Sequence, residues 1–239
     1  MKKLTVFFCF CFLFFKASSQ SQFSGWLASF NTIKLDKKLS FHFDAQVRST
    51  DQLKHVQTIL IRPGLNYHFN KNVTGTLGYA FIDNRQTISG ITDYLTEHRI
   101  WEQVLFSHKW RTVSAAHRFR LEQRFVPSSI SMVNNSLEIE KRRLTNRFRY
   151  FIRNVIPLEK GLTFTKGPFV AVQNEVFVNI ANKDGANGKF FDQNRLYGSI
   201  GYRFCNKIDV DAGYLNQYAK STTGAIKNHI IQLAVSARL

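Results

Sequence analysis

Once its first nineteen residues are set aside, the chain lacks paired cysteines, long apolar runs and any motif of nucleophilic or phosphate-handling chemistry. Of its three cysteines, Cys9 and Cys11 fall in the leading segment, leaving Cys205 with no partner for an intrachain disulfide. A small secreted domain stapled by disulfides is therefore excluded. No later stretch reaches the eighteen or so uninterrupted apolar residues of a membrane helix. No Gly-x-Ser-x-Gly, phosphate loop or Cys/His metal spacing appears, so no catalytic residue, metal ligand or cofactor is assigned. No Pro/Ser-rich linker or change of composition divides the chain, and residues 20–239 are expected to form one domain.

The leading segment sets the compartment. Met1-Lys2-Lys3 is positive, Leu4 to Phe15 is almost wholly apolar, and small residues stand at Ala17 and Ser19. This is the layout of a secretory signal, residues 1–19, cleaved after Ser19; the apolar run is too short to be a membrane span. A lipoprotein anchor needs small residues before its cysteine, whereas Phe8 and Phe10 precede Cys9 and Cys11. The formal charge is +17, and losing Lys2, Lys3 and Lys16 takes it to +14. An exported basic chain rarely meets nucleic acid. Its expected polyanions are the phosphates of the bacterial outer-membrane surface, lipid and lipopolysaccharide.

What the sequence does have is period two. Leu39, Phe41, Phe43, Ala45 and Val47 alternate with Ser40, His42, Asp44, Gln46 and Arg48. Strand side chains point to opposite faces in turn, so this is one apolar and one polar face. The pattern recurs at Ile59 to Phe69, Val73 to Phe81, Val113 to Phe125, Leu144 to Ile152, Leu196 to Phe204 and Ile231 to Leu239. Helical spacings of three and four are missing from these segments. The class is all-β.

Short turns are expected near 36–38, 70–72, 109–111 and 205–207, and longer polar loops near 84–94, 126–140, 181–192 and 219–227. Tyr67, Phe69, Trp110 and Phe204 gather beside the short turns, as a girdle at a bilayer interface would. About eleven segments can be counted, from 23–34 to 228–239. Bacterial single-chain barrels have even strand numbers, which points to ten or twelve. Either residues 20–34 fall short of a full strand, or a hairpin is hidden between 154 and 180.

Alternation alone does not say which face points in. A soluble barrel buries its apolar face, and a membrane barrel turns it outward. Long strands, unequal loops and aromatics beside the turns favour the second, a closed antiparallel up-and-down transmembrane barrel of 10–12 strands. A soluble periplasmic ligand carrier is the competing architecture.

Glu97-His98-Arg99-Ile100-Trp101-Glu102-Gln103, and above all His117-Arg118-Phe119-Arg120-Leu121-Glu122-Gln123-Arg124-Phe125, carry a family resemblance. From about residue 22 onward the chain is similar to an uncharacterised family of outer-membrane β-barrels, domain-of-unknown-function family 2490. The resemblance implies barrel architecture, an outer-membrane location and contact with the barrel-assembly machinery; it brings no substrate. Such barrels commonly end in an aromatic residue, and Leu239 stands there instead.

The most unusual chemistry is a ladder of charge. Arg118, Arg120, Glu122 and Arg124 share one strand face, and Arg143, Arg147, Arg149 and Arg153 share another. Rings of arginine select anions, so one reading is a constriction that takes small anions. The other is a self-paired Arg/Glu network filling the barrel, with Glu175, Asp209 and Asp211 as further counter-charges. The network takes precedence, because an uncompensated arginine row inside a narrow barrel is electrostatically costly. His98 and Glu102 lie roughly 13 Å apart along a strand, too far to share a metal ion. The pairs Ser107-His108 and Ser114/His117 each place their members on opposite faces, which argues against a lipid-modifying enzyme.

Overall fold

Period two becomes β-strand along nearly the whole chain. The computed structural model describes residues 20–159 and 163–239, and the expected signal segment, residues 1–19, lies outside the described residues. The strands are β1 (Gln20–Lys34), β2 (Leu39–Thr50), β3 (His55–His68), β4 (Val73–Ile88), β5 (Ile91–Trp110) and β6 (Val113–Val133). They continue with β7 (Ser136–Pro157), β8 (Gly167–Ala181), β9 (Phe191–Cys205), β10 (Ile208–Lys220) and β11 (Ala225–Arg238). Each pairs antiparallel with the next, and β1 pairs with β11 to close a barrel. Closure leaves no unpaired edge.

The expected even strand number is not what forms. Residues 20–34 make a full strand, and a single strand, β8, follows the end of β7 at Pro157. With eleven strands running alternately up and down, the first and last point the same way. The β1/β11 seam is accordingly parallel, in register from Gln20↔Ile226 to Thr32↔Arg238. Leu239 finishes the seam through its backbone, accepting from Lys34 N–H at 2.7 Å and donating to the Thr32 carbonyl at 2.8 Å.

Two of the expected long loops are also strand. β4 and β5 meet at Ser89-Gly90, with φ of 50° and 85°, and β6 and β7 at Asn134-Asn135, with φ of 49° and 63°. Positive φ at both central residues is what a two-residue hairpin with the right twist demands. The expected loops at 84–94 and 126–140 are therefore hairpin tips, which lengthen β5, β6 and β7 to 20, 21 and 22 residues. The β6–β7 ladder is irregular between Pro127 and Ile130. Beyond that point the hairpin reaches back to β5, with Leu137 N–H bonded to the Asp93 carboxylate and Arg142 to the Thr96 carbonyl, both at 3.2 Å.

The two faces divide cleanly. Outward stand Leu65, Leu77, Val104, Phe119, Leu196 and Ile200, all exposed. Tyr67, Phe69, Trp110 and Phe204 also point outward, beside the turns at the end where β11 finishes. Inward stand Asp44, Arg62, Glu97, Arg120, Glu122, Arg149 and Glu175, all buried, together with Trp26 and Trp101. Trp101 fits because two glycines give way. A Cβ on Gly78 would lie 2.2 Å from its ring, and one on Gly64 would lie 3.0 Å away.

Candidate functional site: the charged interior

β5, β6, β7 and β8 run side by side, and their inward positions bring the charges level. Across β6 and β7, Arg120 pairs with Arg149 and Glu122 with Arg147. Glu122 is the hub: its carboxylate receives Arg147 at 2.7 Å and Arg149 at 2.5 Å, with Arg99 at 3.6 Å and Arg120 at 3.9 Å. Glu175, on β8, receives Arg118 and Arg149, each at 2.7 Å. Glu97 receives Arg99 at 2.6 Å and Arg124 at 2.7 Å. Arg147 reaches Asp192 at 2.8 Å, and Arg153 reaches Asp211 at 2.6 Å. These are short, charge-assisted bonds held in a water-poor space, where such bonds are strong and their loss is costly.

Seven of the eight ladder residues picked from the sequence meet in this network. Arg143 does not. β8 stops pairing with β7 at Ala181↔Asn146, so Arg143 stands beyond the ring of strands and is exposed. Of the three counter-charges considered, Glu175 and Asp211 join the network, and Asp209 instead holds Arg203 and Arg238 near the C-terminal end. Sequence reasoning missed Asp44, which pairs with Arg62, and Asp192. It also missed Arg48 and Arg195. Their parity was readable, but nothing local says what lies across a barrel.

The arginines also use aromatic rings. Arg120 lies 4.2 Å from the Trp101 ring centroid, Arg118 4.3 Å from Phe151 and Arg149 4.4 Å from Phe177. Apolar clusters add bulk, Trp26 with Tyr197, Leu215 and Ile230, and Trp101 with Leu60, Ala80 and Ile82. Among the described residues two cavities lie in the interior. The larger, about 340 Å³, extends to residues near the C-terminal end such as Thr32, His68 and Ser236. The smaller, about 130 Å³, lies on the other side, towards Asn84 and Gln217. Arg48, Arg62, Arg149 and Arg195 line both, and so mark the waist between them.

The histidines weighed for catalysis stand elsewhere. His98 bonds Tyr79, while His117 bonds Tyr150 at 2.9 Å and stacks on His108 at 5.3 Å. His98 and Glu102 lie on the apolar, outward side, where Glu102 accepts a 3.2 Å bond from Gln123.

Fold and interior together define a closed eleven-stranded β-barrel with its apolar face outward and an ion-paired waist. The chain belongs to the family described as "Protein of unknown function (DUF2490)", whose model matches residues 23–228. It is similar to an uncharacterized protein of Methylorubrum extorquens, with 23% identity over 203 residues, 84% of this chain and 81% of that one. No solved structure matches it.

Proposed function

We propose that the chain is a non-enzymatic β-barrel of the bacterial outer membrane, closed at its waist by the Arg/Glu network. It would serve there as a structural or binding protein of the envelope rather than as an open pore. One observation carries this reading: the apolar side of the strands faces out around the ring while the ion pairs face in. In water that arrangement leaves large side chains such as Leu77 and Ile200 60% and 69% exposed. In a bilayer the same surface is matched by hydrocarbon, and a closed barrel satisfies every backbone group internally. The Glu102–Gln123 bond fits too, since a polar group on that face needs a partner. The partners are outer-membrane lipid, lipopolysaccharide and the assembly machinery that inserts barrels.

The test is to refold residues 20–239 into lipid vesicles and record planar-bilayer conductance across a KCl gradient. Insertion is read separately from heat-modifiable migration on gels. The expected result is an inserted barrel with no steady conductance. A steady current reversing toward chloride would replace this reading with an arginine-lined anion pore. Failure to insert would return the chain to the soluble carriers.

A further inference from the structure

We infer that the larger cavity is a binding site for a small organic anion, a carboxylate or phosphate carried on a flat apolar body. The inference rests on the interior geometry and holds whether or not the barrel sits in a membrane.

Charge balance comes first. Most arginines around the waist have a carboxylate: Arg62 has Asp44, Arg118 and Arg149 have Glu175, and Arg153 has Asp211. Arg48 and Arg195 have no carboxylate within 4 Å among the described residues, although Glu175 is the cross-strand neighbour of Arg195. Arg48 donates to the Gln46 amide oxygen at 2.6 Å, and Arg195 to that of Gln193 at 3.4 Å. Both guanidiniums turn to one aromatic ring instead, that of Trp26, at 4.1 Å and 4.9 Å from its centroid. Arg195 also lies 4.7 Å from Phe177. Two cations sharing an indole offer a doubly positive, poorly hydrated surface. Guanidinium is the cation best matched to the paired oxygens of carboxylate and phosphate.

Unused donors come second. Arg195 Nε and Arg118 Nε are buried N–H groups without an acceptor, and His42 Nε2 is a buried nitrogen with no hydrogen bond, 3.8 Å from the Asp44 carboxylate. All three residues line this cavity. Orphaned polar groups are rare in folded proteins, and one of them here belongs to Arg195, which has no ion-pair partner among the described residues. Glu175 and Asp211 line the cavity as well, but each is already engaged by the arginines named above.

The walls supply the rest. Phe30, Leu105, Phe151 and Leu215 line the same space with Trp26. A volume of about 340 Å³ falls at the small end of ligand pockets, with apolar walls and a few convergent polar groups. Inorganic phosphate alone would leave those walls unmatched.

The full mature chain, refolded in detergent, tests this by calorimetric titration with benzoate, and with benzyl alcohol as the uncharged control of the same shape. Saturable benzoate binding is expected, with benzyl alcohol weaker by about tenfold or more. The double substitution Arg48→Gln and Arg195→Gln is expected to reduce benzoate affinity by a similar factor. Equal affinity for the two probes, or no saturable benzoate binding, would overturn the proposal, and neither outcome requires a variant to fold. So would wild-type affinity in a double variant that still migrates as a folded barrel.

Discussion

The two sides of the waist treat the same residue type in opposite ways. On the β5–β8 side, Glu97, Glu122 and Glu175 each bind at least two arginines, so the arginines outnumber these carboxylates but every one of them touches a carboxylate. On the β1–β2 and β9 side, Arg48 and Arg195 lean on Trp26 with no carboxylate between them. The first arrangement fixes the barrel's shape, because every charge there depends on its neighbour. The second leaves positive charge available, because an aromatic face attracts a cation without neutralising it. Position in the ring, more than residue type, separates a structural arginine from a receptive one.

Substitutions on the two sides should therefore behave differently. The largest effect belongs to Glu122→Ala, which leaves Arg147 only Asp192, Arg149 only Glu175 and Arg99 only Glu97, and leaves Arg120 with no carboxylate within 4 Å among the described residues. Loss of one partner from a buried pair costs about 3–5 kcal/mol, so urea unfolding in detergent should show a large fall in midpoint. A wild-type midpoint would mean the network is not what holds the waist. Glu175→Gln keeps the shape and removes one charge from Arg118 and Arg149. A loss of about 1.5–3 kcal/mol is expected in the same measurement. Arg48→Gln sharpens the contrast: it breaks no ion pair among the described residues, and a cost of about 2 kcal/mol is expected, that of a desolvated cation–π contact. A cost as large as that of Glu122→Ala would erase the distinction between the two sides. Smallest of all is Arg143→Gln, beyond the strand ring, which should leave the midpoint within about 0.5 kcal/mol of wild type.

Much of this barrel can be read from alternation. Ser40, Asp44 and Gln46 against Phe41, Phe43 and Val47 identify the two faces of β2, and the Arg118–Arg124 motif identifies the charged face of β6. What alternation lacks is height and distance. Arg143 has the same parity as Arg147, yet β8 runs out before reaching it, and no local pattern marks where a neighbouring strand ends. Asn134-Asn135 and Ser89-Gly90 carry the positive-φ preference of tight hairpins. A more literal reading of those dipeptides would have given strands in place of loops at 84–94 and 126–140. The parallel seam escaped because the even-number rule outweighed a segment count that was already eleven. The surplus of Arg48 and Arg195 could not be read locally at all. It depends on where β1, β2 and β9 bring Trp26, Arg48 and Arg195 together in the closed ring, with Glu175, the cross-strand neighbour of Arg195, already bound to Arg118 and Arg149.

The most direct test of an inside-out barrel is collisional accessibility of single spin labels on its outer face, measured in lipid vesicles after Cys205→Ser removes the one described cysteine. Labels at Leu77 and Ile200 should collide often with dissolved oxygen and seldom with a water-soluble nickel chelate. A label at Lys71, in the exposed turn between β3 and β4, should show the reverse. Nickel reaching Leu77 and Ile200 as readily as Lys71 would contradict a membrane-embedded outer face, and with it the reading of the ion-paired interior as a closed transmembrane waist.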